Sequence, residues 1–72
     1  MEFFVIKVKS EKLFYQADNE IGDYLDTTPA LLSESEALLI IDCLDGICDI
    51  QTDKAYKYSD LEIKKVELTI YD

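Results

Sequence analysis

Seventy-two residues with 49% hydrophobic content make one small domain with a single thin core. No apolar run is long enough to span a membrane, and a chain this size leaves no depth for a substrate cavity. Sixteen acids against seven lysines, with no arginine and no histidine, give a net charge of −9 and disfavour nucleic acid or an anionic membrane as a direct ligand.

The first element is a strand. Phe4, Val5 and Ile6 begin it, and Lys7 and Lys9 alternate against Ile6 and Val8. The early acid Glu2 and this alternation do not suit a signal peptide, so the expected setting is the cytoplasm. The short polar stretch Lys9-Ser10-Glu11-Lys12 leads into the β-prone Leu13-Phe14-Tyr15, which predicts a hairpin. From Gln16 to Thr28 the chain is mostly polar and reads as turns, with Ile21, Tyr24 and Leu25 as anchors onto the core.

Ser33-Glu34-Ser35-Glu36 matches the capping box, in which the serine oxygen and the glutamate satisfy free amides at a helix start. Leu32 and Ala37 suit a hydrophobic staple, and Pro29 lies upstream where it interrupts nothing. Ala37, Ile40, Ile41 and Leu44 follow at helical spacing, with Gly46 as C-cap, so the predicted helix runs from about 34 to 45.

Ile47 to Ile50 fits either a last helical turn or a short strand, and Gln51 to Asp60 reads as a loop with some extended backbone. Val66, Leu68 and Ile70 alternate with Glu67, Thr69 and Tyr71 as a half-buried strand. Ile63 has the opposite parity, which predicts a bulge or kink near Lys64-Lys65. The expected fold is α+β: an antiparallel sheet of three to four strands in ββαβ order, with one helix packed on a face.

The chemistry available to these residues is limited. Without His or Arg, the usual general base and the usual phosphoryl-transfer clamps are missing, and Gly22 and Gly46 make no phosphate loop. Cys43 and Cys48 lack two further soft ligands for zinc and read as small apolar residues. A calcium loop starting at Asp42 would need oxygen ligands where Leu44 and Gly46 stand. The expectation is a non-catalytic binding protein without a metal or other cofactor.

Charge placement points to the contact side. Between Leu13 and Asp53 there is no basic residue, while Asp18, Glu20, Asp23, Asp26, Glu34, Glu36, Asp42, Asp45, Asp49 and Asp53 all fall there. Asp42, Asp45, Asp49 and Asp53 share one side if the helix continues past Gly46, with Glu34 and Glu36 along its edge. Leaving such acids unpaired costs stability, and a face that meets a basic protein is a reason to do so; a solvated surface that keeps the protein soluble is the plainer one. Five tyrosines exceed what the core needs, and Tyr56 and Tyr58 beside Lys57 are expected to be exposed contact residues. The partner-binding set is therefore Asp23, Asp26, Glu34, Glu36, Asp42, Asp45, Asp49, Asp53, Tyr56 and Tyr58. The fitting partner is a basic, nucleic-acid-binding protein surface or a nuclease complex.

The layout "FFVIKVKSEKLFYQ", then "PALLSESEALLIIDCL", then "KKVELTIY" resembles many small proteins encoded by phages and mobile elements. The resemblance covers most of the chain and implies a ββαβ accessory protein. Some acidic proteins of that kind inhibit host defence nucleases such as CRISPR effectors, which makes an anti-CRISPR or other anti-defence inhibitor the expected role. Two alternatives stand beside it: a structural or adaptor protein that self-associates through an edge strand ending at Ile70, and an antitoxin that neutralises a basic toxin.

Overall fold

In the computed structural model residues 2–44, 46–49 and 51–67 are described. Among them, six strands form one sheet: β1 (Glu2–Val8), β2 (Phe14–Asp18), β3 (Gly22–Asp26), β4 (Gly46–Asp49), β5 (Lys54–Lys57) and β6 (Leu61–Glu67). One helix, α1 (Glu34–Cys43), lies between β3 and β4, and a single 3-10 turn (Tyr58–Asp60) joins β5 to β6. The expected three- to four-stranded antiparallel sheet in ββαβ order is thus corrected to a larger, mixed sheet. Its order is β5-β4-β3-β2-β1-β6, and β3 and β4 run parallel. Parallel neighbours cannot be joined by a tight turn, and the crossover here is the segment that carries α1.

The connection between β5 and β6 dictates the shape. These strands are the two edges of the sheet, yet three residues join them. Six strands laid flat would separate the edges by about 24 Å, while a three-residue 3-10 turn advances about 6 Å. The sheet must therefore curl into a half-barrel that brings the end of β5 back to the start of β6. Lys9 fastens this closure, since its backbone N–H donates to Asp60 O at 2.8 Å and its Nζ to Ser59 O at 2.9 Å.

β1 and β2 pair only around Lys7 and Phe14 and then splay apart. Residues 30–32 fill the split. Ala30 N–H donates to Tyr15 O at 3.1 Å, and Phe4 and Leu32 exchange both backbone hydrogen bonds at 2.8 and 2.9 Å. This wedge sets down Ser33 as the N-cap, with the Ser33–Glu36 capping box complete. Leu32 and Ala37 both enter the core, as the staple predicts. The helix ends at Cys43, two residues short of the expected limit. Leu44 takes an extended conformation, and Gly46 opens β4 in place of capping the helix.

Strand alternation sends Ile6, Val8, Tyr15, Leu25, Ile47 and Leu61 into one interior, where Ala37 and Ile41 of α1 join them. Ile40 and Leu44 pack against this cluster from the side. Val5 is equally buried but belongs to the opposite face of β1 and lies outside the cluster.

β6 departs from expectation in two ways. Its register against β1 runs unbroken from Glu2↔Glu67 to Val8↔Leu61, so there is no bulge at Lys64-Lys65. Leu61 and Ile63 face the interior, which puts Val66 on the other side; Leu68 and Ile70 lie outside the described residues. Of the anchors expected before the helix, Leu25 is fully buried and Tyr24 half-buried, but Ile21 sits exposed on the β2–β3 turn.

Candidate functional site

The acids of the middle block are spread over four elements, and most already have local work. On β3, the Asp23 carboxylate accepts the Tyr15 hydroxyl at 2.7 Å. Asp26, at the end of the same strand, accepts from Thr27 N–H at 2.8 Å. Glu36 is held in the capping box, while Asp18 folds the β2–β3 turn by accepting from the amides of Glu20 and Ile21. Asp53 occupies the β4–β5 turn with φ of 59°, near the Cys48 thiol.

Asp49 departs furthest from expectation. It is 4% exposed, points into the curled sheet from β4, and accepts from the Gln51 amide at 3.1 Å and the Thr52 hydroxyl at 2.8 Å. The expected row of Asp42, Asp45, Asp49 and Asp53 along one helix does not exist, because the helix stops at Cys43. Asp45 lies outside the described residues. Tyr56 is a second correction: it faces Ile47 in the core at 7% exposure, with the Lys54 ammonium 5.1 Å above its ring. Tyr58, half-exposed on the 3-10 turn, remains available for contact.

The acids of α1 are all exposed; Glu36 is tied to the capping box, while Glu34 in the first turn and Asp42 in the last are not hydrogen-bonded among the described residues. Glu34 is favoured there by the helix dipole, but Asp42 sits at the negative end, where a cation would be stabilising. Among the described residues, neither carboxylate is ion-paired. The ion pairs that do form are Lys7–Glu62, Lys64–Glu62 and Lys65–Glu2, all on β1 and β6. The 2.8 Å contact with Lys65 holds the Glu2 carboxyl below the usual carboxylate range. Lysines thus line β1, β5, β6 and the β1–β2 turn, while β2, β3, β4 and α1 carry none. The molecule has a cationic seam and an acidic remainder.

Three exposed leucines were not singled out by sequence reading: Leu31, Leu38 and Leu39. A signal for two of them was present. Ala37 to Ile41 is five apolar residues in a row, which wraps the whole circumference of a helix, whereas a surface helix needs only a stripe.

A cleft of about 380 Å³ opens between the β1–β2 turn and the β4–β5 hairpin, with Lys12, Lys54, Thr52 and Asp49 on its walls. Both Asp49 oxygens are already engaged there, one by the Gln51 amide and the other by the Thr52 hydroxyl. Among the described residues no three His, Cys, Asp or Glu side chains converge as metal ligands. Cys43 and Cys48 are both free thiols, the first exposed on α1. No described helix is long and apolar enough to cross a membrane.

Tyr15 supplies a pH test of the β2–β3 geometry. Burial first, then the hydrogen bond to Asp23 and its charge, push the phenol up to about 12 from its ordinary value of 10.0. Because the folded value is the higher one, its contribution is complete below pH 10 and is lost as the pH rises through about 12. Tyr15→Phe is expected to cost about 1–2 kcal/mol at neutral pH by urea unfolding. Between pH 10 and 12 the gap between wild type and variant should narrow; a gap unchanged with pH would mean the hydroxyl does not hold Asp23 in solution.

Comparison with family models, with curated proteins and with solved structures finds no match in any of the three. What the surface can do has to follow from its own residues.

Proposed function

We propose that the protein is a non-catalytic binding protein that places its acidic side on a basic, nucleic-acid-binding surface of a partner protein and blocks it. The observation that supports this reading is the segregation of charge. Acids without cationic partners crowd the elements that lack lysine, and the lysines collect at the seam of the curl. Self-repulsion of this kind destabilises a small fold and is relieved when a cationic surface docks. Docking through these acids would be fast and salt-sensitive, and it would compete directly with phosphate for the same cations.

An anti-defence inhibitor, with CRISPR effectors among its targets, is the form of this role in which blocking a nucleic-acid-binding surface would matter most. A cytoplasmic place of action agrees with the two free thiols. Pairing through a sheet edge is less favoured by the strands themselves. Both edges carry exposed lysines (Lys54 and Lys57 on β5, Lys64 and Lys65 on β6), a common protection against strand addition.

The test is affinity capture from bacterial lysate on immobilised wild type and on the Glu34→Lys/Asp42→Lys variant, at low and high salt. The expected result is a nucleic-acid-handling protein retained by wild type at low salt, stripped of its DNA or RNA, and retained at least about tenfold less by the variant. Equal retention of the same proteins by both forms would remove the acids of α1 from the interface.

A further inference from the structure

We infer that the outer face of α1 is a docking surface with an apolar anchor, Leu38 and Leu39, whose occupant is a basic amphipathic segment of a partner protein. This rests on the binding role proposed above and adds to it that the contact is not purely ionic.

The helix position of these residues makes the case. By the 3.6-residue period, Leu39 points about 180° from the midpoint of Ala37 and Ile41, the two α1 residues buried in the core. Leu38 and Leu39 are 52% and 66% exposed, so neither leucine is absorbed by the fold that the same helix stabilises. The run Ala37–Ile41 places apolar side chains on every side of its turn, and apolar side chains are ordinarily covered. Here the sheet covers only one.

The rim identifies the occupant. Leu38 has Glu34 one turn before it and Asp42 one turn after. Leu39 lies between Ser35 and Glu36 on one side and Asp42 and Cys43 on the other. A second copy would bring the same carboxylates against each other, on chains that each carry −9, so an isologous dimer through this face is opposed by charge. A segment with apolar residues on one side and lysine or arginine flanking them meets both features. The leucines fill its apolar face, and the carboxylates take its cations. The placement of Asp42 at the unfavourable end of the helix dipole is then compensated in the complex and not in the free chain.

Two synthetic peptides of equal length test this, one an amphipathic helix built only of leucine and lysine, the other of lysine alone. Each is titrated into isotope-labelled protein and followed by amide chemical shifts. The leucine–lysine peptide should bind and move the amides of residues 34–43, with oligolysine binding markedly more weakly. Leu38→Gln/Leu39→Gln, which leaves net charge unchanged, should weaken the first peptide by about tenfold or more while keeping a native spectrum. Equal binding of the two peptides, equal binding by the variant, or shifts centred away from α1 would overturn the anchor and leave the acids acting alone. If neither peptide binds, the anchor and the acidic-surface role both fall.

Discussion

Asp49→Lys is expected to leave the chain unfolded under conditions where the wild type is folded. Asp49 is 4% exposed, and both carboxylate oxygens hold the β4–β5 turn through the Gln51 amide and the Thr52 hydroxyl. Its backbone carbonyl takes part too, accepting the Asp53 N–H at 2.8 Å. A lysine would bury an ammonium against two donors. The penalty of several kcal/mol for an unpaired buried charge compares with a total stability of about 4–11 kcal/mol for a domain of this length. Asp49→Asn separates folding from binding more gently. It keeps the oxygen that accepts from Gln51 and turns the other into an amide that can donate to the Thr52 hydroxyl oxygen, so it should cost only about 1 kcal/mol by urea unfolding. If Asp49→Lys unfolds with the wild-type midpoint, the buried carboxylate does not hold the β4–β5 turn. Charge reversal at Asp42, by contrast, should raise stability by about 1 kcal/mol, because that exposed side chain sits at the negative end of the helix dipole.

Ile6→Ala should remove about 3–4 kcal/mol, the largest loss expected from a single truncation in the core. Ile6 is 1% exposed and stands opposite Ile63 on β1, the strand that binds β6 on one side and β2 and the Leu32 wedge on the other. A cavity there loosens the interior that the curl encloses, and the backbone of β1 cannot move to fill it. Val5→Ala, one residue away and buried on the other face, is the internal comparison. It deletes fewer atoms and touches a different face, so its cost should be about half. Denaturant midpoints for the two variants decide the matter. Equal losses would mean that the two faces of β1 are equally packed and that the interior of the half-barrel is not the principal core.

The contrast between elements explains how much could be read in advance. α1 was legible because its signals are local: a serine, a glutamate three residues on, a staple, and an apolar stripe at one period. β1 and the turn into β2 were legible for the same reason, since alternation and a polar break lie within a few residues of each other. β3 was not, β4 was legible only as one of two alternatives, and β5 only as extended backbone within a loop. Gly22–Asp26, Gly46–Asp49 and Lys54–Lys57 are short and polar, and each is a strand only because a neighbour supplies its hydrogen bonds. β4 shows the competition directly. Asp42, Asp45, Asp49 and Asp53 have helical spacing, but one more turn of helix would contribute little. Pairing with β3 places Ile47 in the core and gives Asp49 its donors.

The candidate site divides along the same line. The sequence by itself determined the charge, its segregation away from the lysines, the helix and its capped start, and the run Ala37–Ile41 that no single face can hide. Only the tertiary structure decided which of those acids are free to meet a partner. It buried Asp49, tied the exposed Asp23 and Glu36 into local hydrogen bonds, turned Tyr56 inward, and left Glu34, Asp42 and Tyr58 exposed without such ties. The reason is that charge and helical period are properties of residues and their near neighbours. Burial is a property of the sheet's curl, which is fixed by a three-residue link between strands at opposite edges.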